Sequence, residues 1–379
     1  VPPIAHGYGG QIHSNDPQAT AEAIRETAER LAQAKKPIIL AGVEVHRFAL
    51  QDQLLALAET AGIPIAATIL GKSVISERHP KYVGLYEGGL GDPGVTEFVE
   101  SSDLILLFGA FLSDINLGIY TAKLDPNRCV YATSESLRIS HHHYHNVDLK
   151  EFLVGLNAAN PKAAKRSIPK SLRHHDPIDL QADPPGNREL STSRMMAMLD
   201  RRLDGDTIVI ADVGDSLFAA TELTIHERGE FLSPAYYTSM GFSVPAALGA
   251  ATARPDHRIV ILVGDGAFQM TGQELSSLIR DGRSPIVIVL DNHGYGTERY
   301  LHAGDWKYNE IPTWRYGDLL KVYGRGQAHL VKTESAFDDA LQAAWGDRDQ
   351  SHLIHAKLTE GDASNTLRQL AARMSERVG

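Results

Sequence analysis

The sequence predicts an α/β protein with two open, mainly parallel-sheet domains. Short, continuously apolar runs recur along the chain, and such runs are typical of strands buried on both faces of a parallel sheet. Stretches with helical periodicity lie between these runs, as expected for crossover helices. Residues 161–187 show neither pattern and divide the alternating series into two parts.

The first series begins with a predicted helix over residues 17–36, for which Asn15 is the candidate N-cap. The apolar positions at helical spacing are Ala21, Ile24, Ala28 and Leu31. The run at 37–42 is the first predicted strand and is closed by glycine. The same alternation continues with predicted helices at 50–61 and 95–101 and predicted strands at 63–68, 104–108 and 128–132.

Residues 161–187 form the predicted linker, because Pro, Lys, Arg, His and Asp dominate there without apolar periodicity. His174 and His175 lie within it and are expected to be solvated. A second series starts near Leu190. Its predicted elements are a helix through Met195 and Leu199, strands at 207–211, 258–263 and 285–290, and a helix at 271–280. The last two strands and their helix form a βαβ unit, whose crossover should be right-handed.

The composition of the 379-residue chain excludes several classes of partner. The formal net charge of −10 argues against nucleic acids and anionic membranes, since both select for clustered Lys and Arg. Cys129 is the only cysteine, so no intramolecular disulfide can form, and a cytoplasmic location is expected. The chain has no apolar run of about 18 residues or more, so no membrane-spanning helix is predicted. The start of the sequence resembles an interdomain linker rather than a signal peptide.

Glycines and polar residues follow two neighbouring parallel strands of the second domain. Gly264-Asp265-Gly266 ends one predicted strand, and Asp291-Asn292-His293-Gly294 ends the next. Ligands of open α/β sheets bind at this carboxyl edge, and the N–H groups of a following helix can hold a phosphate. The carboxylate, amide and carbonyl oxygens of these segments suit Mg²⁺ shared with phosphate. Taken alone, the first segment can also be an ordinary glycine-rich turn.

The two segments together resemble the thiamine-diphosphate signature G-D-G followed by N-N, with Asp291 in the first Asn position. Other segments resemble those of pyruvate, indolepyruvate and phenylpyruvate decarboxylases. These segments are 71–80 (GKSVISERHP), 86–88 (YEG), 212–218 (DVGDSLF), 237–242 (YTSMGF), 294–299 (GYGTER) and 308–314 (YNEIPTW). The chain is therefore identified as a member of the thiamine-diphosphate-dependent 2-oxo-acid decarboxylase family.

This resemblance implies a central domain over residues 1–160, a linker over 161–187 and a diphosphate-binding domain over 188–379. It implies thiamine diphosphate and Mg²⁺ as cofactors and non-oxidative decarboxylation of a 2-oxo acid to an aldehyde. The implied metal ligands are Asp265, Asn292 and the carbonyl of Gly294. The implied cofactor-binding residues are Asp215, Ser216, Thr238, Met240, Gly264, Gly266, Ala267, Gly296 and Thr297.

Three of these residues have more specific implied roles. Met240 would be the apolar wedge under the cofactor, and the carbonyl of Thr238 would accept a hydrogen bond from the aminopyrimidine. Glu298 would be catalytic and would assist proton transfer after CO₂ leaves, which needs a carboxyl group in a partly desolvated site. The alternative for Glu298 is a solvated glutamate on a helix.

The chain departs from the family pattern at two site positions. Asp215 stands where many relatives have a hydroxyl residue, and a carboxylate beside a diphosphate would repel it unless it faces elsewhere. Thr297 is smaller than the branched aliphatic residue often found there, which favours aromatic or branched 2-oxo acids such as indolepyruvate or phenylpyruvate. Pyruvate remains possible.

A third departure concerns the pyrimidine-binding domain with which family members begin. The resemblance starts only after that domain, so this chain is expected to supply half of each active site and to be nearly inert alone. The missing half would come from another domain or subunit, in a homodimer or tetramer. The alternatives are an acetolactate-synthase-like or oxidase-like enzyme, and an inert cofactor-binding fragment or subunit. The segment from Gly294 to Glu298 argues against the first alternative.

Several conspicuous residues are expected to be structural. His141, His142, His143 and His145 could suggest a metal cluster, but adjacent side chains diverge, so a polar loop is expected. The first domain has no glycine-rich phosphate loop, so a structural or regulatory domain is favoured over an FAD-binding one. Trp306 and Trp314 are interpreted as packing residues near the active site rather than a nucleic-acid stacking platform.

Overall fold

A computed structural model describes residues 15–172, 178–302, 304, 306–359 and 361–378. Within these ranges the chain forms one sheet of seven strands and one sheet of six. The predicted α/β class with two mainly parallel sheets is therefore confirmed. The linker-like start of the sequence, residues 1–14, and the histidines His174 and His175 lie outside the described residues.

The first sheet has the strand order β3-β2-β1-β4-β5-β6-β7. Its strands are β1 (Pro37–Ala41), β2 (Ile65–Ala67), β3 (Tyr82–Leu85), β4 (Leu104–Phe108), β5 (Cys129–Ala132), β6 (Leu137–Ile139) and β7 (His142–Tyr144). The helices of this part are α1 (Pro17–Gln33), α2 (Val43–Arg47), α3 (Gln51–Ala61), α4 (Pro93–Glu100) and α5 (Leu149–Ala158). Strands β1 to β5 pair in parallel, whereas β6 and β7 extend the edge antiparallel.

The second sheet is parallel throughout, with the strand order β12-β13-β11-β10-β8-β9. Its strands are β8 (Thr207–Ala211), β9 (Phe231–Leu232), β10 (Arg258–Gly264), β11 (Ile286–Asp291), β12 (Gln327–Val331) and β13 (His352–Lys357). Its helices are α6 (Thr192–Asp200), α7 (Asp215–Ala220), α8 (Ser243–Ala253), α9 (Asp265–Thr271), α10 (Leu275–Arg280), α11 (Gly296–Leu301), α12 (Asp318–Tyr323), α13 (Glu334–Gly346) and α14 (Asn365–Val378).

The continuous apolar runs arise because both faces of each sheet are buried. In β1, Ile39 and Ala41 join one apolar cluster, while Ile38 and Leu40 join another on the opposite face. Successive side chains of a strand point to opposite faces, so a strand covered on both sides needs apolar residues at every position. The strands of the second sheet divide in the same way between two clusters.

The first helix differs in detail from the prediction. Asp16, rather than Asn15, caps α1: its Oδ1 accepts hydrogen bonds from the amides of Gln18 and Ala19 at 2.9 and 3.1 Å. Of the predicted apolar positions, Leu31 is buried and Ile24 and Ala28 pack against the core, whereas Ala21 is exposed. The buried side chains of α1 are Thr20, Ala23, Thr27 and Leu31.

Two other predictions need correction. The histidine-rich segment is not a loop, because His142 to Tyr144 form the edge strand β7. The helix predicted at 271–280 begins earlier, as α9 at Asp265, and passes through a 3₁₀ turn at Gly272–Glu274 into α10. The predicted domain boundaries remain a prediction. No helix in the described ranges is long and apolar enough to cross a lipid bilayer.

Candidate cofactor site

The candidate site lies where β10 and β11 end side by side. These strands pair in parallel with Gly264 opposite Leu290, so Asp265 and Asp291 leave the sheet at the same edge. Asp265 is 2% exposed, and its Oδ1 accepts a hydrogen bond from the Gly266 amide at 2.8 Å. Its Oδ2 is buried and has no hydrogen-bond partner among the described residues. A buried, unpartnered carboxylate oxygen fits a bound cation.

The electrostatics of Asp265 agree with this geometry. Burial raises the pKa of Asp265 to about 7, and the nearby charge of Asp291 adds to the increase. The hydrogen bond from the Gly266 amide acts in the opposite direction. The charged form of this carboxyl group is therefore costly unless a cation offsets the charge.

Asn292 lies in a loop that glycines hold tightly. A Cβ on Gly296 would lie 2.4 Å from Nδ2 of Asn292, and a Cβ on Gly294 would lie 1.8 Å from the carbonyl oxygen of Asn309. Gly294 also has a φ of 139°, a conformation that side chains rarely adopt. The structure thus brings Asn292 and Gly294 to the sheet edge where Asp265 lies.

Arg299 also fixes this loop, a role that the sequence did not reveal. Its guanidinium donates to the carbonyl oxygen of Asn292 at 3.3 Å and to that of His293 at 2.8 Å. Gly294 further forms an antiparallel bridge with Glu310. These carbonyl contacts depend on a side chain that reaches back along the chain from α11, and no sequence motif marks them.

Asp291, which stands in the first Asn position of the signature, is bound by side chains of β13. Its Oδ2 is hydrogen-bonded to Nε2 of His355 on β13 at 2.6 Å, and Nζ of Lys357 lies 3.9 Å away. The ring of His355 in turn meets the Tyr316 ring edge-on, with centroids 4.8 Å apart. Burial raises the pKa of Asp291, but the hydrogen bond and charge of His355, together with the hydrogen bond from the His293 amide, hold the pKa below its ordinary value.

The diphosphate candidates lie at the starts of α7, α9 and α11, which converge. A Cβ on Gly214, just before α7, would lie 3.1 Å from Oγ1 of Thr297 in α11. A Cβ on Gly264, just before α9, would lie 3.8 Å from Oγ of Ser216. Ser216 is buried, and its hydroxyl is close to the end of β10. The structure therefore brings most of the predicted diphosphate residues together.

Gly266 and Ala267 form the buried first turn of α9. A Cβ on Gly266 would meet the ring of Tyr295 at 2.5 Å and Cδ1 of Ile311 at 2.9 Å. Tyr295 of the loop after β11 and Ile311, which follows α11, thus lie over this helix start, and only glycine leaves room for them.

Asp215 does not point toward the predicted diphosphate. Its carboxylate accepts hydrogen bonds from the amide and the hydroxyl of Ser364, just before α14. Burial raises the pKa of Asp215 to about 6, although the Ser364 hydrogen bonds lower it. The expected repulsion of the diphosphate is avoided because these hydrogen bonds hold the carboxylate at Ser364.

Asp212 anchors the loop that carries Thr238 and Met240. This anchoring role was not predicted from the sequence. The carboxylate of Asp212 is fully buried and accepts hydrogen bonds from the Gly241 amide at 3.0 Å and from the amide and hydroxyl of Ser243 at 2.8 Å. Thr238 has a φ of 55°, and Met240 is 39% exposed. A buried aspartate directly after an apolar strand was the available signal for this role.

Glu298 lies on α11 with 46% of its side chain exposed, and its Oε2 lies 3.9 Å from Nε2 of His302. The partly desolvated environment expected for a proton-transfer group is therefore not formed by the described residues alone.

The remaining conspicuous residues have structural contacts. His142 is hydrogen-bonded to Glu26 at 2.9 Å, and no group of three or more His, Cys, Asp or Glu in the described ranges is arranged to hold a metal ion. Trp306 stacks on Tyr308 with ring centroids 6.2 Å apart, and Trp314 packs beside Tyr316 at 6.4 Å. Both tryptophans are nevertheless about half exposed, so their packing role stays a prediction.

Comparison with family models matches both parts of the chain. Residues 24–153 match the thiamine pyrophosphate enzyme central domain, and residues 212–356 match the C-terminal TPP binding domain of the same enzymes.

Curated relatives agree with these matches. The chain is 32% identical over 352 residues to indole-3-pyruvate decarboxylase of Azospirillum brasilense, covering 93% of this chain and 64% of the relative. It is 33% identical over 363 residues to pyruvate decarboxylase isozyme 2 of Saccharomyces cerevisiae, covering 94% and 64%. An alpha-keto-acid decarboxylase of Mycolicibacterium paratuberculosis is 30% identical over 335 residues, covering 88% and 59%. The chain thus spans somewhat less than two thirds of the length of these relatives. With both family domains matched and the strand-end site in place, the chain belongs to the thiamine pyrophosphate enzymes and carries their central domain and their C-terminal TPP binding domain.

Proposed function

We propose that this chain takes part in the non-oxidative decarboxylation of a 2-oxo acid to an aldehyde, with thiamine diphosphate and Mg²⁺ as cofactors. The observation that carries the proposal is the buried, unpartnered Oδ2 of Asp265 at the end of β10. It lies at the sheet edge that also carries Asn292 and Gly294, in a domain that matches the TPP binding domain. The names of the relatives supply the reaction class.

The residues fit both cofactors. Asp265, Asn292 and the carbonyl of Gly294 would hold Mg²⁺, which prefers such oxygen ligands and shares them with phosphate. The converging starts of α7, α9 and α11 would hold the diphosphate through backbone N–H groups, with the hydroxyls of Ser216 and Thr297 beside them. Thiamine diphosphate, when bound, supplies the electron sink for loss of CO₂.

The ring-binding and catalytic residues lie on an open face. Tyr237 is 83% exposed, Met240 is 39% exposed and the side chain of Glu298 is 46% exposed. We propose that a pyrimidine-binding domain, from another part of a longer protein or from another subunit, covers this face. Glu298 would then be desolvated and hold the proton delivered after CO₂ leaves. The cytoplasm is the proposed location, and a homodimer or tetramer is the proposed assembly.

Aromatic or branched 2-oxo acids are the proposed substrates, and pyruvate is the alternative. Thr297 is the basis for this preference, because a small side chain beside the substrate leaves room for a group larger than methyl. Relatives named for indolepyruvate and for pyruvate are similarly identical to this chain, at 32% and 33%, so identity does not separate the two.

The first prediction concerns cofactor binding by the 379-residue chain. Calorimetric titration with thiamine diphosphate in the presence of Mg²⁺ should show one binding site. The Asp265→Asn substitution should weaken this binding at least tenfold, because it removes the charge that offsets the metal. Assays with phenylpyruvate, indolepyruvate and pyruvate should show little turnover by the chain alone.

Asp339→Asn is the matched control, since Asp339 is exposed on α13 and lies outside the site. It should leave the affinity unchanged. Unaltered affinity in the Asp265→Asn variant would contradict the proposed metal site. Rapid turnover by the chain alone would contradict the proposed half-site.

A further inference from the structure

A second cavity lies between the two parts of the chain, away from the strand-end site. Its volume is about 730 Å³, which is large enough for a drug-sized molecule. One wall comes from residues 72–95 of the first part, and the other comes from residues 221–224 and 365–369 of the second. None of the proposed cofactor-binding residues lines it.

Glu87 contributes a buried carboxylate to this cavity. The residue is 4% exposed, and its Oε1 is buried without a hydrogen bond from any described residue. Gly91 packs closely, since a Cβ there would lie 3.3 Å from the other oxygen, Oε2. A buried acceptor with no donor is costly, and a ligand that brings an N–H or a positive charge would remove this cost.

Lys72, the nearest buried cation, is already occupied. Its Nζ donates to both carboxylate oxygens of Glu77 at 2.9 and 3.0 Å. It also donates to the carbonyl oxygens of Leu223 at 2.7 Å and Thr221 at 3.3 Å. These contacts join the two parts of the chain and use all the donors of the ammonium group. Lys72 therefore cannot also form a direct ion pair with Glu87.

A second carboxylate, Glu222, lines the opposite wall directly after α7. Burial raises the pKa of Glu87 to about 8. The charge of Lys72 lowers this pKa, and the charge of Glu222 raises it further. Burial also raises the pKa of Glu222 to about 7, and the charge of Asp215 adds to that increase while the Asn365 amide opposes it. Neither acid forms an ion pair with a described residue. The basic residues that line the same space are Lys72, Arg78, His79 and Arg368.

The rest of the lining is compatible with a small organic cation. Arg368, at the rim, is engaged with the carbonyl oxygen of Ala363 at 3.2 Å and with Asp362 at 3.5 Å. The apolar part of the lining includes Pro80, Val83, Leu85, Leu90, Val95 and Leu223. A metal ion is disfavoured, because no group of three or more ligating side chains is found in the described part of the chain.

We propose that this cavity is a binding site for a small primary amine, whose ammonium group pairs with Glu87 and Glu222 while its apolar body packs against the aliphatic lining. An ammonium group offers three donors and one positive charge, which match the unpartnered acceptor and the uncompensated acids. The site goes beyond the proposed decarboxylation and does not depend on it.

The test uses 2-phenylethylamine with the wild-type 379-residue chain, in the absence of thiamine diphosphate. The neutral 2-phenylethanol and the anionic 3-phenylpropionate serve as analogues with the same ring. Calorimetry at a pH of about 8 should show one site for the amine, with an affinity at least tenfold higher than for either analogue. Glu87→Gln should weaken amine binding at least tenfold, because the charge is lost while the shape is kept.

Glu151→Gln, an exposed substitution on α5, is the control and should leave amine binding unchanged. Glu222→Gln should also weaken amine binding. If Glu87→Gln does not fold, this second variant still tests the proposal. Equal binding of the alcohol, unchanged affinity in folded variants of both glutamates, or no binding of the amine to the wild-type chain would overturn the proposal. Thiamine diphosphate binding, titrated separately, distinguishes these outcomes from failure of the proposed function.

Discussion

Asp265 and Asp291 show how neighbouring carboxylates at one sheet edge acquire different roles. Both are buried, but Asp265 has an oxygen without a partner, whereas Asp291 is hydrogen-bonded to His355. Their pKa values accordingly move in opposite directions, up for Asp265 and down for Asp291. The first suits a metal ligand, and the second suits a structural contact between β11 and β13.

We expect Asp291→Asn to lower the free energy of unfolding by about 1–3 kcal/mol at pH 7, because a buried charge-assisted hydrogen bond is lost. The folded pKa of Asp291 lies below its ordinary value of 3.8. Its contribution is therefore fully present above pH 3.8 and is lost as the pH falls through the lower folded value. Urea unfolding of wild type and variant at neutral and acidic pH measures this difference.

Asp339→Asn provides the comparison for that experiment, since it changes an exposed carboxylate on α13. The stability difference between wild type and Asp291→Asn should shrink in acid, whereas the control should match wild type throughout. Equal stability of the two variants at pH 7 would show that the contact with His355 does not stabilise the fold.

The sequence predicted the meeting of Asp265, Asn292 and Gly294, because parallel strands place their carboxyl ends at one edge. The partners of the other carboxylates could not be predicted in this way. His355 is 64 residues from Asp291, and Ser364 is 149 residues from Asp215. Such pairs depend on how α14 and β13 pack against the rest of the fold. The local sequence pattern around each residue does not reveal this packing.

At the scale of elements, the loop between β11 and α11 is held by close backbone packing. Gly294 bridges to Glu310, and the Tyr295 amide donates to the carbonyl oxygen of Asn309 at 2.9 Å. The loop therefore keeps the position of Asn292 without a long hydrophobic anchor.

We expect Gly294→Ala to lower the free energy of unfolding by about 2–5 kcal/mol, because the new Cβ meets a backbone carbonyl and the φ is unfavourable. Gly229→Ala is the matched control, since Gly229 also has a positive φ of 79° but nothing within 4 Å of an added Cβ. It should cost only about 1–2 kcal/mol. Similar losses in both variants, measured by chemical denaturation, would argue against the tight packing described for this loop.

The elements that the sequence predicted best are the central strands. Residues 104–108 and 207–211 form β4 and β8 with the predicted bounds, because burial on both faces demands an unbroken apolar run. The strands β3, β6, β7, β9, β12 and β13 were not predicted, and of these β7 and β9 are short and partly exposed. The helices α5, α8, α13 and α14 were also not predicted, although they are long. The six-residue helices α7 and α11 were missed because six residues are too few to show a helical period.

At the scale of the whole molecule, several buried carboxylates lack strong partners. Burial raises the pKa of Glu87 to about 8 and that of both Glu222 and Glu230 to about 7. Because the folded values lie above the ordinary value of 4.5, the stability linked to these groups is fully present below pH 4.5. It is lost as the pH rises through about 7 to 8.

We therefore expect the midpoint of thermal unfolding to fall by several degrees between about pH 6 and pH 8.5. Glu87→Gln should reduce this fall, because the variant has one less acid to ionise inside the protein. Calorimetric scans at matched ionic strength measure both profiles. A midpoint that rises over this range, or an identical slope in the variant, would contradict the assignment of Glu87 as a buried, uncompensated acid.

The contact between Asp215 and Ser364 has a practical consequence for protein engineering. It makes the carboxyl-terminal segment part of the environment of the diphosphate candidates, although that segment lies outside the sheet. A shortened expression product that ends before Ser364 would free the Asp215 carboxylate next to Ser216 and would place a negative charge where a phosphate is expected. A shortened chain prepared for cofactor-binding experiments should therefore retain α14, although the six-stranded sheet is complete without it.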